Sequence, residues 1–255
     1  MSGDDAATRP LDYSVVTITY NEAENIGALI EAIASVLRPT GKSFEIIVVD
    51  DESPDGTAEV VRRKSALVPE ARLIERHGER GIGSAYFHGI RASRGRCVAT
   101  MDADFSHHPD VLPRLFASAE EGALSLGSRF LRRGDFITLW YRVRVTRGIN
   151  FWHRHFLRTG LCDHTNGFMA IRRDVLDRLI GEGESMGMPP FSRVLYVLPL
   201  VVCSMRLGIS IRETAARYIF RTKGVTKIRF LRGVVLLFEE WRDSVLLKPH
   251  ARRKT

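Results

Sequence analysis

Apolar positions in the first hundred residues switch between two spacings. Tyr13-Ser14-Val15-Val16-Thr17-Ile18-Thr19 is a β-branched run suited to a buried strand. After Tyr20-Asn21-Glu22, the residues Ile26, Leu29, Ile30, Ile33 and Leu37 recur at helical spacing, which predicts a helix over 24–37. The same alternation continues with a strand at 44–49, a helix from Thr57 through Lys64, and a short strand at 72–75. A helix near 84–92 and a strand at 97–101 follow, with a further strand at 124–130. Strands alternating with helices imply βαβ units and a mainly parallel sheet, an α/β fold. Residues 1–12 read as a flexible tail, and no internal repeat or low-complexity tract interrupts the pattern.

In open sheets of this kind ligands sit beyond the carboxyl ends of the strands. Three strands end in polar or acidic clusters: Tyr20-Asn21-Glu22, Asp50-Asp51, and Asp102-Ala103-Asp104 within the stretch Met101–Pro109. If the last stretch stays extended, Asp102 and Asp104 share a face and can reach one cation. Mg²⁺ or a similar hard ion takes one or two carboxylates together with substrate phosphate oxygens. The competing reading is a capped turn with Pro109 opening a helix. Asp50 or Asp51 suits hydrogen bonds from ribose hydroxyls or a base edge, against an Asx turn before Thr57. Asp55-Gly56 reads as a turn. Gly81-Ile82-Gly83 lacks the spacing of a dinucleotide fingerprint and reads as a tight turn that lets the next helix pack.

Composition narrows the ligand class. The 255 residues carry 38 Lys plus Arg against 30 Asp plus Glu, a formal charge of +8. That excess suits phosphorylated substrates, anionic lipid or nucleic acid. Cys97, Cys162 and Cys203 lack CxxC spacing, consistent with a reducing compartment. The amino terminus has neither the basic start nor the apolar core of a signal peptide. The longest apolar run, 194–205, is too short to span a bilayer.

The strand-end blocks resemble a known family. Ile18–Glu22, Val49–Thr57, Gly81–Tyr86 and Met101–Pro109 look like successive blocks of the family 2 glycosyltransferases, and are similar to those of polyprenyl-phosphate mannose synthases. The resemblance spans roughly residues 13–230. It implies a GT-A (Rossmann-like) single domain over 13–227, a nucleotide-sugar donor, Mg²⁺ or Mn²⁺, and a dolichyl or polyprenyl phosphate acceptor. By it, Tyr20, Glu22, Val49 and Asp51 match positions that hold the nucleotide. Asp102, Ala103 and Asp104 match the metal and diphosphate motif, and Ser106 falls where some relatives place a further metal ligand. His107 and His108, at a helix start before Pro109, read as turn or supporting residues.

The second half supplies cations. Arg129, at the end of the strand at 124–130, matches the arginine of a Gly-Ser-Arg block and is expected to neutralise phosphate. Asp163, in a block ending Gly167-Phe168, is a candidate sugar contact. Arg221-Thr222-Lys223-Gly224-Val225-Thr226-Lys227 matches a family pattern whose arginine and lysine hold donor and acceptor phosphates. Two cations flanking a glycine can close over an anion. Asp104, Arg129 and Arg221 are thus the expected catalytic residues. Where relatives carry a Gln-x-Glu pair, this chain has Arg193–Pro199, which leaves the sugar and acceptor open.

Residues 140–152 interleave aromatics with arginines, and 228–255 form an amphipathic, basic segment. Both suit a membrane interface; a solvated helix or single-stranded nucleic acid are the alternatives for the first, packing on the domain or on a partner for the second. The resulting expectation is a peripheral enzyme on the cytoplasmic face of a membrane, with a membrane-anchoring subunit as a further partner and no nucleic acid. It would transfer a hexose, mannose from GDP-mannose first, with inversion. UDP-glucose, another donor, or a non-lipid acceptor is the nearest alternative. A basic RNA-binding module is the rival of a different class, and it leaves three acidic strand ends unexplained.

Overall fold

The computed structural model describes residues 10–132, 136–187, 190–191 and 196–219. In chain order the elements begin β1 (Leu11–Thr19), α1 (Ala23–Leu37), β2 (Phe44–Asp50), α2 (Thr57–Ser65), β3 (Ala71–Glu75), α3 (Ile82–Ala92) and β4 (Gly95–Asp102). They continue with α4 (Leu112–Glu120), β5 (Leu124–Ser128), β6 (Phe136–Ile137), α5 (Trp140–Leu157), β7 (Met169–Arg172), α6 (Arg173–Ser185), α7 (Val197–Leu207), β8 (Ile211–Ala215) and β9 (Tyr218–Ile219). The alternation expected from the sequence is present. β1 starts two residues inside the expected tail, because Asp12 exchanges backbone and carboxylate hydrogen bonds with Ser43.

Seven strands form one sheet in the order β3-β2-β1-β4-β7-β5-β8. β7 runs antiparallel to both β4 and β5, and the remaining pairs are parallel. β6 and β9 make a separate two-stranded ribbon. Strand parity explains how helices cover both faces. Val15, Ile46, Val48, Ala99 and Met101 pack with Ile26, Ile30, Ile33, Leu115 and Phe116 on one side. Val16, Ile47, Val49 and Val98 pack with Tyr86, Ile90, Leu176, Leu179 and Val201 on the other.

α3 lies close to the sheet because Gly89 has no side chain. A Cβ there would fall 2.4 Å from Val16 Cγ1 and 2.9 Å from Val49 Cγ2. Gly89→Ala is expected to cost about 1–3 kcal/mol by overpacking, read as a lowered thermal midpoint.

The topology gathers the motif-bearing loops. β1, β2, β3, β4, β5 and β8 run in one direction, so the loops after all six open on the same edge of the sheet. Because β7 is reversed, the segment leading into it, 163–168, opens there too.

Candidate active site

At that edge Thr19 is in register with Asp50, and Ile18 with Asp102, so the three acidic strand ends are direct neighbours. The loop after each carries one non-glycine residue with positive φ: Asn21 (56°), Glu52 (51°) and Phe105 (60°). A left-handed L-residue costs on the order of 1 kcal/mol or more, and such conformations concentrate at functional sites.

The first two ends are tightly built. Asp50 is buried and accepts from Thr19 Oγ1 (2.7 Å), Ser53 Oγ (2.5 Å) and the Ser53 N–H (2.9 Å), which makes it the turn-forming aspartate. Asp55 accepts from the Ala23 and Thr57 N–H groups (both 3.0 Å), so it anchors the starts of α1 and α2 as a turn residue should. Glu22 is buried, accepts from Asn25 Nδ2 (2.8 Å) and donates its N–H to Thr57 Oγ1 (2.9 Å). Val49 is fully buried in the core, so it can offer a ligand only its backbone. Tyr20 is half-buried, with the Arg80 guanidinium 4.6 Å from its ring centre.

Asp51 carries a partner that the sequence pattern did not reveal. Arg76, with a side chain 2% exposed, donates Nε to Asp51 Oδ1 and Nη2 to Oδ2, both at 2.7 Å. The Gly81 N–H also reaches Asp51 Oδ2 (3.2 Å), and Arg76 Nη1 donates to Ser84 Oγ (3.1 Å). The Gly81 turn therefore touches the site directly. Arg76 lies in the loop after β3, outside every motif in the sequence.

The third end departs from the extended geometry expected for it. β4 stops at Asp102, and Ala103 and Asp104 turn away from the strand, with Asp104 Oδ1 accepting the Ser106 N–H (3.0 Å). The shared-face argument from strand period therefore does not hold. The two carboxylates nevertheless stand two residues apart in the same turn. Tyr86 donates its hydroxyl to Asp102 Oδ1 (3.0 Å). Its burial, and then the Asp102 charge, push it well above the ordinary tyrosine value and keep it a donor. Asp102 leaves 46% of its side chain exposed, and Asp104 is half-buried. Ala103 is buried.

Ser106 is 1% exposed, and its Oγ lies beside the Tyr218 hydroxyl without a well-formed hydrogen bond. Among the described residues no three His, Cys, Asp or Glu side chains come together as a metal cage. Two accessible carboxylates with an under-satisfied hydroxyl fit an ion that completes its shell with diphosphate oxygens and water.

Arg129 and Asp163 have each other as partners. Arg129 Nε donates to Asp163 Oδ2 (2.7 Å) and Nη2 to Oδ1 (2.8 Å), while Nη2 also meets Thr165 Oγ1 (2.6 Å). The side chains are 10% and 0% exposed. In this arrangement the Asp163 carboxylate is buried against the Arg129 guanidinium. Burial alone would raise Asp163, but the Arg129 guanidinium and backbone N–H donors hold it below the usual carboxylate range. What the pair does is join the end of β5 to the segment entering β7. Arg221 and Lys227 lie outside the described residues, as does all of 228–255.

Residues 14–180 match the family model Glycosyl transferase family 2. The chain belongs to this family. As a family 2 glycosyltransferase it is 31% identical over 251 residues to a polyprenol monophosphomannose synthase of Mycolicibacterium smegmatis, covering 94% of this chain and 91% of that one. It is 30% identical over 243 residues, 91% of its length, to a dolichol-phosphate mannosyltransferase of Pyrococcus furiosus, and spans 65% of that protein. A dolichol-phosphate mannosyltransferase of Saccharomyces cerevisiae is 29% identical over 86% of this chain and 81% of its own.

Among solved structures, a Pyrobaculum calidifontis mannosyltransferase in complex with GDP-Man and Mn²⁺ superposes with TM-score 0.65 at 19% identity, covering 96% of this chain and 69% of that one. A Mycobacterium tuberculosis glucosyl-3-phosphoglycerate synthase with Mn²⁺ and UDP-Glc does so with TM-score 0.65 at 19% identity, covering 96% and 82%. The fold is the GT-A type that the sequence resemblance implied.

Proposed function

We propose that this glycosyltransferase moves a hexose, mannose from GDP-mannose first, onto dolichyl or another polyprenyl phosphate with inversion at the anomeric carbon. The observation that carries the reading is the meeting of Asp51, Asp102 and Asp104 on one sheet edge, in a chain whose relatives are named as polyprenol- or dolichol-phosphate mannosyl enzymes. Asp102, Asp104 and Ser106 would hold Mg²⁺ or Mn²⁺. When bound, the ion supplies Lewis-acid neutralisation of the diphosphate leaving group.

The chain's own residues do the rest. Tyr20, Glu22, Asp51 and the backbones of Val49 and Ala103 receive the nucleoside. Tyr86 keeps Asp102 oriented by donating to it. The acceptor phosphate has a second pKa near about 6, so its oxygen is anionic at neutral pH and needs no strong general base. The task is alignment of two anions, and the cations for it are assigned to Arg221 and Lys227. Arg129 acts by fixing the Asp163 block.

The catalytic unit is assigned to 13–227, and 228–255 to a membrane-interface segment on the cytoplasmic face, with a separate anchoring subunit as a further partner. Support comes from α5, which exposes Trp140, Tyr141, Phe151 and Trp152 among its arginines. Among the described residues no helix is long and apolar enough to cross a membrane. UDP-glucose is the second donor reading, favoured by the fold likeness to a glucosyl enzyme crystallised with UDP-Glc.

Incubation of the full chain with GDP-mannose or UDP-glucose, Mn²⁺ and a polyprenyl phosphate, followed by lipid extraction, tests both readings. Transfer from GDP-mannose is expected; transfer from UDP-glucose alone, or only to a non-lipid acceptor, overturns the first. In parallel, flotation with anionic liposomes is expected to carry the full chain and to be weakened by deletion of 228–255.

A further inference from the structure

We propose that His107 is the positioning residue that ties the Asp102–Asp104 turn to the segment entering β7, so that the metal turn and the Arg129–Asp163 pair are set as one unit. This rests on the assignment of Asp102 and Asp104 to a diphosphate-bound metal. The ring is 3% exposed, and both of its nitrogens are engaged. Nδ1 accepts the Asp102 backbone N–H at 3.0 Å, so that nitrogen carries no proton. The proton is on Nε2, which donates to Asn166 Oδ1 at 2.7 Å.

The amide of Asn166 is oriented independently, because its Nδ2 donates to the Gly127 carbonyl at 2.8 Å. One bonded line thus runs from the end of β4, through His107 and Asn166, to β5, just before Ser128 and Arg129. The ring is held flat on Phe168, with centroids 4.9 Å apart at 12°, and Tyr218 meets it edge-on at 6.2 Å. His108, its exposed neighbour, pairs instead with Asp110 at 2.9 Å.

The mechanical consequence follows from where the line attaches. Asp102 is the last residue of β4, and the chain beyond it passes through the left-handed Phe105 before returning to His107. The His107–Asp102 bond closes that loop on itself, which sets the direction in which both carboxylates point. With both nitrogens used in this way, His107 is not itself a metal ligand.

Two substitutions separate the nitrogens. Asparagine places an amide oxygen about as far out as Nδ1 and keeps the acceptor for Asp102. Glutamine places an amide nitrogen about as far out as Nε2 and keeps only the donor to Asn166. Both lose the ring, so packing loss is common to both.

Mn²⁺ affinity is read by electron paramagnetic resonance on the full chain with GDP, and separately with UDP. His107→Gln is expected to bind Mn²⁺ about tenfold more weakly than wild type, and His107→Asn within about twofold of it. Equal affinity in the two variants, or a weaker asparagine variant, overturns the proposal, since the ring would then act by packing alone. Asn166→Ala leaves the ring in place and is expected to weaken Mn²⁺ by about threefold; an unchanged affinity also overturns it. Should wild type bind Mn²⁺ with UDP and not with GDP, the donor reading fails while the His107 comparison is made on UDP. Should it bind with neither, the Asp102–Asp104 assignment fails and His107 with it.

Discussion

Asp104→Ala is expected to lower turnover by roughly 10²- to 10³-fold at saturating Mn²⁺, a loss of the size seen when one preorganised stabiliser of developing charge is removed. In the proposed reaction the leaving group is a nucleoside diphosphate, and its charge grows as the sugar departs. In the structure Arg76 is committed to Asp51 and Arg129 to Asp163, while Arg80 lies over the Tyr20 ring. In that proposed reaction, neutralisation of the diphosphate is assigned to an ion held by Asp102 and Asp104, and to cations elsewhere in the chain.

Asp104 also has a local role, since its Oδ1 accepts the Ser106 N–H. Asp104→Asn separates the two roles, because an amide oxygen keeps the turn while the charge is lost. Turnover measured with Mn²⁺ titration is expected to fall by a comparable factor in both variants, with thermal midpoints near wild type. An asparagine variant that kept most activity would mean that Asp104 only shapes the turn, and the metal assignment would fail.

Asp163→Ala is the largest expected stability loss, roughly 3–5 kcal/mol, because it leaves the Arg129 guanidinium buried with no carboxylate. For a chain of this size that lowers the thermal midpoint by roughly 10 °C. Thr165 and the ring faces of Phe136 and Tyr218, 4.9 and 5.6 Å from the guanidinium, are poor substitutes for the lost charge.

The pH dependence has a definite sign. Asp163 is held below the ordinary carboxylate value, so its contribution is present above the unfolded value, about 4, and is lost as pH falls through the folded one. The stability gap between wild type and Asp163→Ala is therefore expected to be constant near neutrality and to narrow below about pH 4. Denaturation followed at neutral and acidic pH checks it; a gap that widened on acidification would contradict the ion-pair account.

A good deal of this molecule was legible before any fold was known. The parity of apolar residues in 13–19 and 44–49 required strands covered on both faces, and that is what Val15, Ile46 and Val48 on one side and Val16, Ile47 and Val49 on the other provide. Repeated βαβ units then forced the polar clusters at Tyr20, Asp50 and Asp102 onto one edge. The resemblance of those blocks to family 2 glycosyltransferases added the GT-A fold. Each of these signals is local: a strand period of two, a helix period of 3.6, a run of residues in order.

What the fold alone decided is which charge answers which. Arg76 meets Asp51 across 25 positions and Arg129 meets Asp163 across 34, pairings set by strand order and by the reversal of β7. Tyr86 and His107, read in sequence as a helix residue and a turn residue, were brought to Asp102 by the closeness of α3 to the sheet and by the left-handed turn at Phe105. Side-chain period says which face a residue is on; it carries no record of the partner that waits there. The strand ends announced the site, and the tertiary structure matched Asp51 and Asp163 to their arginines and left the Asp102 side chain 46% exposed at the same edge.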